Sequence, residues 1–332
     1  MTRTDNNSQI RTHQKRGSLG IVMLNAMALL VVVFWGVSFI NSKKLIDAGL
    51  GATEIYILRF TLAYLVTLIF SHSRIRSNSF KDEVLFFVCG LCGGTIYYIS
   101  ENMALIYTTA TNVSILTATT PLFTAFIILA IYKSEKLGKG LIIGSIIAFI
   151  GVVLVVLNSF FSSSETLQIN PLGDFLALLA AVSFAVYSIV VRRFNANYDI
   201  MFISRKTFFY GVLAALPFLS IDGINHDMAV FAEPVVWGNL LFLGLVCSMF
   251  AFIIWAEAVK SLGSVRASNY LYLPPIVTLF AAAIFLGETI TIVGVSGCLL
   301  IIGGMYVSEK VKFKGDKIQS TTPVASRTNR PN

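Results

Sequence analysis

Apolar residues run along this chain in blocks of about twenty, separated by short polar segments. A helix needs about 20 apolar residues to cross a hydrocarbon core of about 30 Å, so each block predicts one membrane-spanning helix. The blocks lack the period-2 alternation that is typical of a membrane β-barrel. The pattern therefore predicts an all-α integral membrane protein. The ten predicted spans are roughly 21–42, 54–72, 84–106, 110–132, 139–159, 172–192, 202–220, 234–256, 264–286 and 290–308.

The second half of the chain repeats the first. Residues 101–135 return as residues 255–288, and Pro121 matches Pro275 at a constant offset. Because five spans precede the second copy, it crosses the membrane in the opposite direction, which predicts two inverted five-helix repeats. Such repeats, with interrupted helices at equivalent positions, point to a transporter's binding site. The predicted divisions are a basic arm at 1–20, a first repeat at 21–159, a linker at 160–171, a second repeat at 172–308 and a basic tail at 309–332.

Basic residues predict the orientation of the chain. It is 56% hydrophobic and only 13% charged, yet it carries 25 lysines and arginines and a net charge of +8. With the N-terminus inside, twenty of these 25 fall on the cytoplasmic side, and only Lys43 and Lys44 fall outside. This asymmetry predicts that both termini are cytoplasmic. The expected partner of the basic excess is anionic membrane lipid and not nucleic acid.

Charged side chains also fall inside predicted spans. Glu101 lies one helical turn from Tyr97, so the two share a helix face, and Arg59 lies at a comparable depth in the neighbouring span. An acid within the membrane is a functional candidate by default. Three roles for Glu101 stay open: a charge pair with Arg59, a proton carrier that would make the proton a coupling ion, or attraction of a cationic substrate group.

Prolines interrupt the equivalent spans four and nine, at Pro121 and at Pro274 and Pro275. A proline inside a helix removes a hydrogen bond and kinks the helix. The alternative to a cavity wall here is a packing bend without ligand contact. Aromatic and amide side chains near such kinks suit a small amphipathic solute, since aromatic faces pack its carbon part and amides orient it. The candidate substrate-binding residues are Trp35, Tyr97, Glu101, Asn112, Tyr187, Trp255, Asn269 and Tyr272.

Spans five and ten are rich in glycine. Gly144 matches Gly297, and Gly151 matches Gly304, at a constant offset. Small residues at regular helical spacing allow two membrane helices to approach closely. These spans are therefore predicted to serve close packing, and a homodimer interface stays open as an alternative.

Enzymatic chemistry has little support in the sequence. Residues 294–297 spell G-x-S-G, but a serine nucleophile needs a neighbouring histidine, and all three histidines fall in predicted tails or loops. The CxxC pair Cys89 and Cys92 has no second pair and no nearby histidine, so neither a metal site nor a cofactor is expected. A channel or a membrane scaffold is the remaining class of alternative, although no filter or charged ring is visible.

The FWGVSF start at residues 34–39 and the ALxYTTAxNxSxLTxxTPLFTAF block at 104–126 resemble the drug/metabolite transporter superfamily. Within it, the chain resembles an EamA-domain permease over about residues 20–308. The resemblance implies a multi-pass protein of the inner or plasma membrane with a central cavity between inverted halves. It also implies secondary active export or exchange of a small metabolite, such as an amino acid-like solute. Cationic drug efflux and nucleotide-sugar-type exchange are the alternatives within this resemblance.

One position departs from the symmetry of the repeat. Glu101 in the first half is matched by Trp255 in the second half. The two halves are therefore not chemically equivalent at that point.

Overall fold

The computed structural model describes residues 3–72, 74–131, 138–162, 170–194, 197–224, 226–286 and 290–310. Within these ranges the chain is helical and contains no β-strand. Most of the predicted linker at 160–171 and all but the first residues of the predicted tail at 309–332 lie outside the described residues.

Ten helical segments follow one another through the described ranges. They are α1 (Arg3–Asp47), α2 (Ala52–Phe70), α3 (Phe80–Tyr107), α4 (Ala110–Ile131), α5 (Lys139–Ser162), α6 (Pro171–Phe194), α7 (Ile200–Asp222), α8 (Pro234–Leu262), α9 (Ser264–Phe285) and α10 (Ile292–Lys310). A short 3-10 helix, Met228–Ala232, connects α7 to α8.

Eight of these helices are long and apolar enough to cross a membrane, and α1 qualifies from Val22 onward. The apolar stretches described in α5 and α10, Lys139–Leu154 and Ile292–Ser308, are shorter. The predicted all-helical, multi-pass membrane fold is thus confirmed. The count of ten spans and the cytoplasmic position of the termini stay predictions.

Helix α4 is interrupted just before its proline. It consists of Ala110–Thr117 and Thr120–Ile131, and Pro121 is the second residue of the latter segment. A proline has no N–H to bond the carbonyl four residues earlier, which is that of Thr117. The Thr120 hydroxyl donates a hydrogen bond to this carbonyl at 2.7 Å, so the freed acceptor is satisfied locally.

Helix α9 is interrupted in the same way. An α-helical segment Ser264–Asn269 leads into a 3-10 turn, Tyr270–Tyr272, and the helix resumes at Pro274. The Thr278 hydroxyl donates to the Pro274 carbonyl and to the Gly36 carbonyl of α1, each at 3.0 Å. The segment of α9 that follows the interruption is therefore hydrogen-bonded to α1.

Helices from the two halves of the chain interlock. Helix α2 packs on α7 and α8, α3 packs on α6 and α7, α1 packs on α8 and α9, and α4 packs on α6. The main apolar core accordingly contains buried side chains from both halves. The repeat relates these contacts in pairs, since α1 on α9 corresponds to α6 on α4, and α2 on α8 corresponds to α7 on α3.

Helices α5 and α10 pack mainly on each other, through glycine. A Cβ added to Gly144 would lie 2.4 Å from the Gly304 carbonyl oxygen, and one added to Gly304 would lie 2.4 Å from the Ala148 nitrogen. Such distances are possible only because neither residue has a side chain. These glycines thus face each other within a single chain.

Replacing Gly144 by alanine is expected to destabilise the protein by about 1–3 kcal/mol, because the new methyl group overpacks a backbone-to-backbone contact. Gly303→Ala is the matched control, since a Cβ at Gly303 meets nothing within 4 Å. That change should be neutral or slightly stabilising, because alanine favours a helix more than glycine does. Thermal unfolding of the two variants in detergent checks the expectation, and equal melting temperatures would contradict it.

A histidine joins two segments at one end of the helix bundle. His226, between α7 and α8, lies with its Nε2 2.9 Å from each carboxylate oxygen of Glu54, in the first turn of α2. Its Nδ1 lies 3.0 Å from the Asp227 carbonyl, so both ring nitrogens face acceptors. The hydrogen bonds to Asp227 and Glu54 raise the pKa of His226, because the protonated ring can donate to both acceptors.

This histidine contact should depend on pH. A group whose pKa is raised on folding stabilises the folded state fully below its ordinary pKa of about 6.5, and this contribution is lost as pH rises through the raised value. His226→Gln should therefore lower the melting temperature most at pH 6 and least at pH 9. A difference between wild type and variant that stays constant over this range would show that protonation plays no part.

Candidate functional site

Aromatic side chains from both halves meet at the centre of the helix bundle. Trp35 of α1 lies with its ring centroid 5.3 Å from that of Trp255 in α8, and 5.5 Å from that of Phe184 in α6. The Tyr97 ring of α3 lies 5.0 Å from the Phe184 ring. These are normal distances for favourable ring contacts. The central aromatic cluster is Trp35, Tyr97, Phe184, Tyr187, Phe252 and Trp255.

Two members of this cluster, Phe184 and Phe252, are absent from the residues that the sequence suggested. The internal repeat could have identified Phe184. Lys44 matches Arg193, and the same offset takes Trp35 to Phe184. The centre is therefore built partly from equivalent positions of the two halves.

A π-helical segment in α8, Phe242–Phe250, accepts hydrogen bonds from two of the candidate residues, which lie on other helices. Trp35 donates a hydrogen bond from Nε1 to the Cys247 carbonyl at 2.9 Å, and Arg59 donates from Nε to the Ser248 hydroxyl at 2.8 Å. The wider turn of a π-helix loosens the local backbone ladder and is frequent at functional sites. This segment thus positions side chains of both α1 and α2.

The equivalent helix α3 contains its own π-helical segment, Leu91–Ile96. Its Cys92 carbonyl accepts a hydrogen bond from the Ser183 hydroxyl of α6 at 2.5 Å. A Cβ on Gly93 would lie 2.4 Å from the Tyr187 ring, so the glycine is what admits this ring. Each π-helical segment therefore contacts the first two helices of the opposite half, since the Thr95 hydroxyl also donates to the Gly211 carbonyl of α7 at 2.8 Å.

A small pocket opens beside the central aromatic cluster, where the interrupted helices α4 and α9 meet the other helices. Its volume is about 20 Å³, which is room for about one water molecule. The helices are thus closed around the centre of the bundle. The lining residues are Trp35, Phe39, Tyr97, Thr117, Ala118, Thr120, Phe184, Leu271 and Pro274.

Arg59 and Glu101 do not line this pocket, but both are buried, with exposed fractions of 0% and 1%. Within the described part of the chain they form no ion pair of 4 Å or less. The guanidinium carbon of Arg59 instead lies 4.3 Å from the centroid of the Tyr98 ring. The Glu101 carboxylate lies beside the Tyr97 hydroxyl, one helical turn earlier.

Several buried polar atoms around the central aromatic cluster have no hydrogen-bond partner among the residues that the structure describes. An unsatisfied buried polar atom costs about 1–3 kcal/mol, and more if it is charged, so folded proteins contain few of them. Five of the thirteen such atoms in the described part of the chain belong to side chains in or beside this cluster, so a ligand bound there would find polar groups to bind. The atoms are Nη1 and Nη2 of Arg59, Oε1 of Glu101, Oη of Tyr187 and Nε1 of Trp255.

Three further candidate residues lie away from the pocket. Asn112 donates to the Asp174 carboxylate at 2.6 Å and to the Thr108 hydroxyl at 3.0 Å, where α4 and α6 begin. Asn269 donates to the Ser308 hydroxyl of α10 at 2.6 Å. Tyr272 is buried in a separate apolar cluster with side chains of α4, α5 and α10.

Metal ligation has no support among the described side chains, which contain no group of three or more His, Cys, Asp or Glu residues. Of the two cysteines of the CxxC pair, Cys89 is buried and Cys92 is half-buried against the Ser183 hydroxyl. The pair takes part in helix packing.

Comparisons with known proteins agree with this architecture. The model of the EamA-like transporter family matches residues 22–157 and 171–309. An uncharacterized transporter from Archaeoglobus fulgidus is 30% identical, over 84% of this chain and 94% of its own. A probable terminal-alkyne amino-acid exporter from Streptantibioticus cattleyicolor is 26% identical, over 89% of this chain and 96% of its own. A solved crystal structure shares the fold with a TM-score of 0.66 at 18% identity, over 87% of this chain and 96% of its own.

Proposed function

Because the chain belongs to the EamA-like transporter family, we propose that it is a secondary active transporter of the cell membrane that exports or exchanges a small amphipathic solute. Family members are named as transporters, so the chain is a small-molecule transporter and not an enzyme. The observation that carries the finer proposal is the set of unpartnered polar atoms around the central aromatic cluster. Aromatic faces with a few convergent polar groups are what a small amphipathic solute requires.

Alternating access is the proposed mechanism. The pocket of about 20 Å³ is too small for a solute, so binding requires the helices around it to separate. Two of its walls come from the interrupted helices α4 and α9, whose breaks lie at the pocket. The proposed inverted relation of the halves would allow one half to rock against the other around this fixed site.

The solute class is proposed to be amino acid-like. The exporter from Streptantibioticus cattleyicolor, which is 26% identical, supports this class. A proton as coupling ion, carried by Glu101, is the competing role for this buried carboxylate. The possible homodimer has no support from Gly144 and Gly304, because these residues are used within one chain.

The proposed orientation predicts which side of the membrane each end of the bundle faces. A cysteine introduced at Arg76, between α2 and α3, should react with a membrane-impermeant maleimide only from the cytoplasmic side. A cysteine at Ile224, between α7 and α8, should react only from outside. The matched positions are both exposed, and the reverse labelling pattern would contradict the orientation and the inverted repeat together.

The central site predicts that Trp35→Ala abolishes counterflow of phenylalanine in proteoliposomes, because the variant loses the ring contacts and the bond to the Cys247 carbonyl. Trp35→Phe keeps a ring and should retain part of the exchange rate. Trp237→Phe is the control, since Trp237 is half exposed and lies outside the central aromatic cluster. Normal exchange by a folded Trp35→Ala variant would place the site elsewhere.

A further inference from the structure

The guanidinium of Arg59 is held in place but not neutralised. Its Nε is bonded to the Ser248 hydroxyl at 2.8 Å, and its planar carbon lies 4.3 Å from the Tyr98 ring centroid. Both Nη atoms have no partner among the described residues, although the side chain is completely buried. Two parallel N–H donors in this geometry fit the two oxygens of a carboxylate.

Glu101 shows the complementary arrangement. Its carboxylate lies beside the Tyr97 hydroxyl, and Oε1 is buried without a hydrogen-bond partner among the described residues. A carboxylate with an unused oxygen is an acceptor for an ammonium group. The chain therefore presents a free donor pair and a free acceptor in the same buried region.

The two charges do not satisfy each other. Arg59 is hydrogen-bonded to Ser248 and packs on Tyr98, whereas Glu101 lies beside Tyr97. A purely structural pair would be expected in direct contact, since an unpaired buried charge costs several kcal/mol. The separation is consistent with charges that are kept available for a ligand.

Both charges are connected to the wall of the pocket. Tyr97 lines the pocket and lies beside Glu101. Trp35 also lines the pocket and donates a hydrogen bond to the Cys247 carbonyl, next to the Ser248 that accepts from Arg59. These two rings therefore lie between the pocket and the residues that contact the charges.

We propose that Arg59 and Glu101 bind the carboxylate and the ammonium of one zwitterionic amino acid, whose apolar side chain packs on the central aromatic cluster. This assignment rests on the proposed transport function and specifies its substrate class. It gives each charge a partner in the loaded state. It also accounts for the absence of an ion pair between them.

The second half of the chain offers no second copy of this arrangement. Trp255 stands at the position equivalent to Glu101. Arg205, which is equivalent to Arg59, lies near the start of α7, and its guanidinium donates a hydrogen bond to the Arg74 carbonyl between α2 and α3. Its Nη1 is also buried without a partner among the described residues, but no acid stands beside it in the repeat. The proposal therefore predicts a single binding site per chain.

Three ligands that share a phenyl ring test the proposal. They are phenylalanine, phenethylamine without the carboxylate, and 3-phenylpropionate without the ammonium. Binding is measured by tryptophan fluorescence of the full chain in detergent, in a Trp237→Phe background that leaves Trp35 and Trp255 as reporters. Phenylalanine is expected to bind about tenfold or more tightly than either analogue, since each loses one charged hydrogen-bonding group.

Arg59→Gln and Glu101→Gln should change the order of the three affinities in opposite ways. Arg59→Gln should weaken phenylalanine and 3-phenylpropionate about tenfold or more and leave phenethylamine unchanged. Glu101→Gln should weaken phenylalanine and phenethylamine and leave 3-phenylpropionate unchanged. Arg205→Gln, the matched control, should preserve the wild-type ranking. Size-exclusion profiles and melting temperatures identify any variant that fails to fold.

Other outcomes would overturn the proposal. Equal weakening of all three ligands by both variants would show that the charges only maintain the fold. An unchanged ranking in Glu101→Gln, together with loss of the response to an imposed pH gradient in proteoliposomes, would show a proton carrier instead. Counterflow of neutral or singly charged solutes without any of phenylalanine would overturn the zwitterion site and leave transport standing. Failure of every solute to exchange would contradict the transport function itself, and the binding ranking would then decide the site alone.

Discussion

The hydrogen bonds from Trp35 and Arg59 to the π-helical segment of α8 organise the centre of this protein. Hydrocarbon offers no water to a loosened backbone, so polar groups at such a segment have to be satisfied by the chain itself. Here the partners come from α1 and α2 of the other half. The same two bonds therefore join the halves, aim an indole ring at the pocket, and hold a guanidinium in a dry interior. The π-helical segment of α3 makes the corresponding contacts with α6 and α7.

Much of the fold could be predicted because its causes are local in sequence. Span length and apolar composition determine the membrane helices, and the helix breaks lie just before Pro121 and Pro274. The π-helical segments had no such local signal. Contacts with the opposite half decide where the backbone hydrogen bonds of a helix widen to the π pattern. Asn112 shows the same limit, since an amide at a helix start is equally able to bond a solute or the Asp174 that its neighbour helix supplies.

The candidate site was predictable in kind and only partly in position. Depth along two helices placed Arg59 and Glu101 near each other, but depth alone does not tell which side chain lies between them. The structure places the Tyr98 ring against the guanidinium and the Tyr97 side chain beside the carboxylate. The sequence showed that Trp255 stands at the position equivalent to Glu101. It did not show what Trp255 does there, because this depends on the contacts of Trp255 with Trp35 and Phe184 in one cluster.

The small volume of the central pocket has a consequence for the kinetics of the proposed transport. A space that holds about one water molecule cannot let several solutes pass one after another, so each crossing event needs its own rearrangement of the surrounding helices. Collective motions of this kind take microseconds to milliseconds, which is far slower than diffusion through an open pore. The flux should then saturate as the solute concentration rises, and its maximum should be set by the time that the helices take to separate and close.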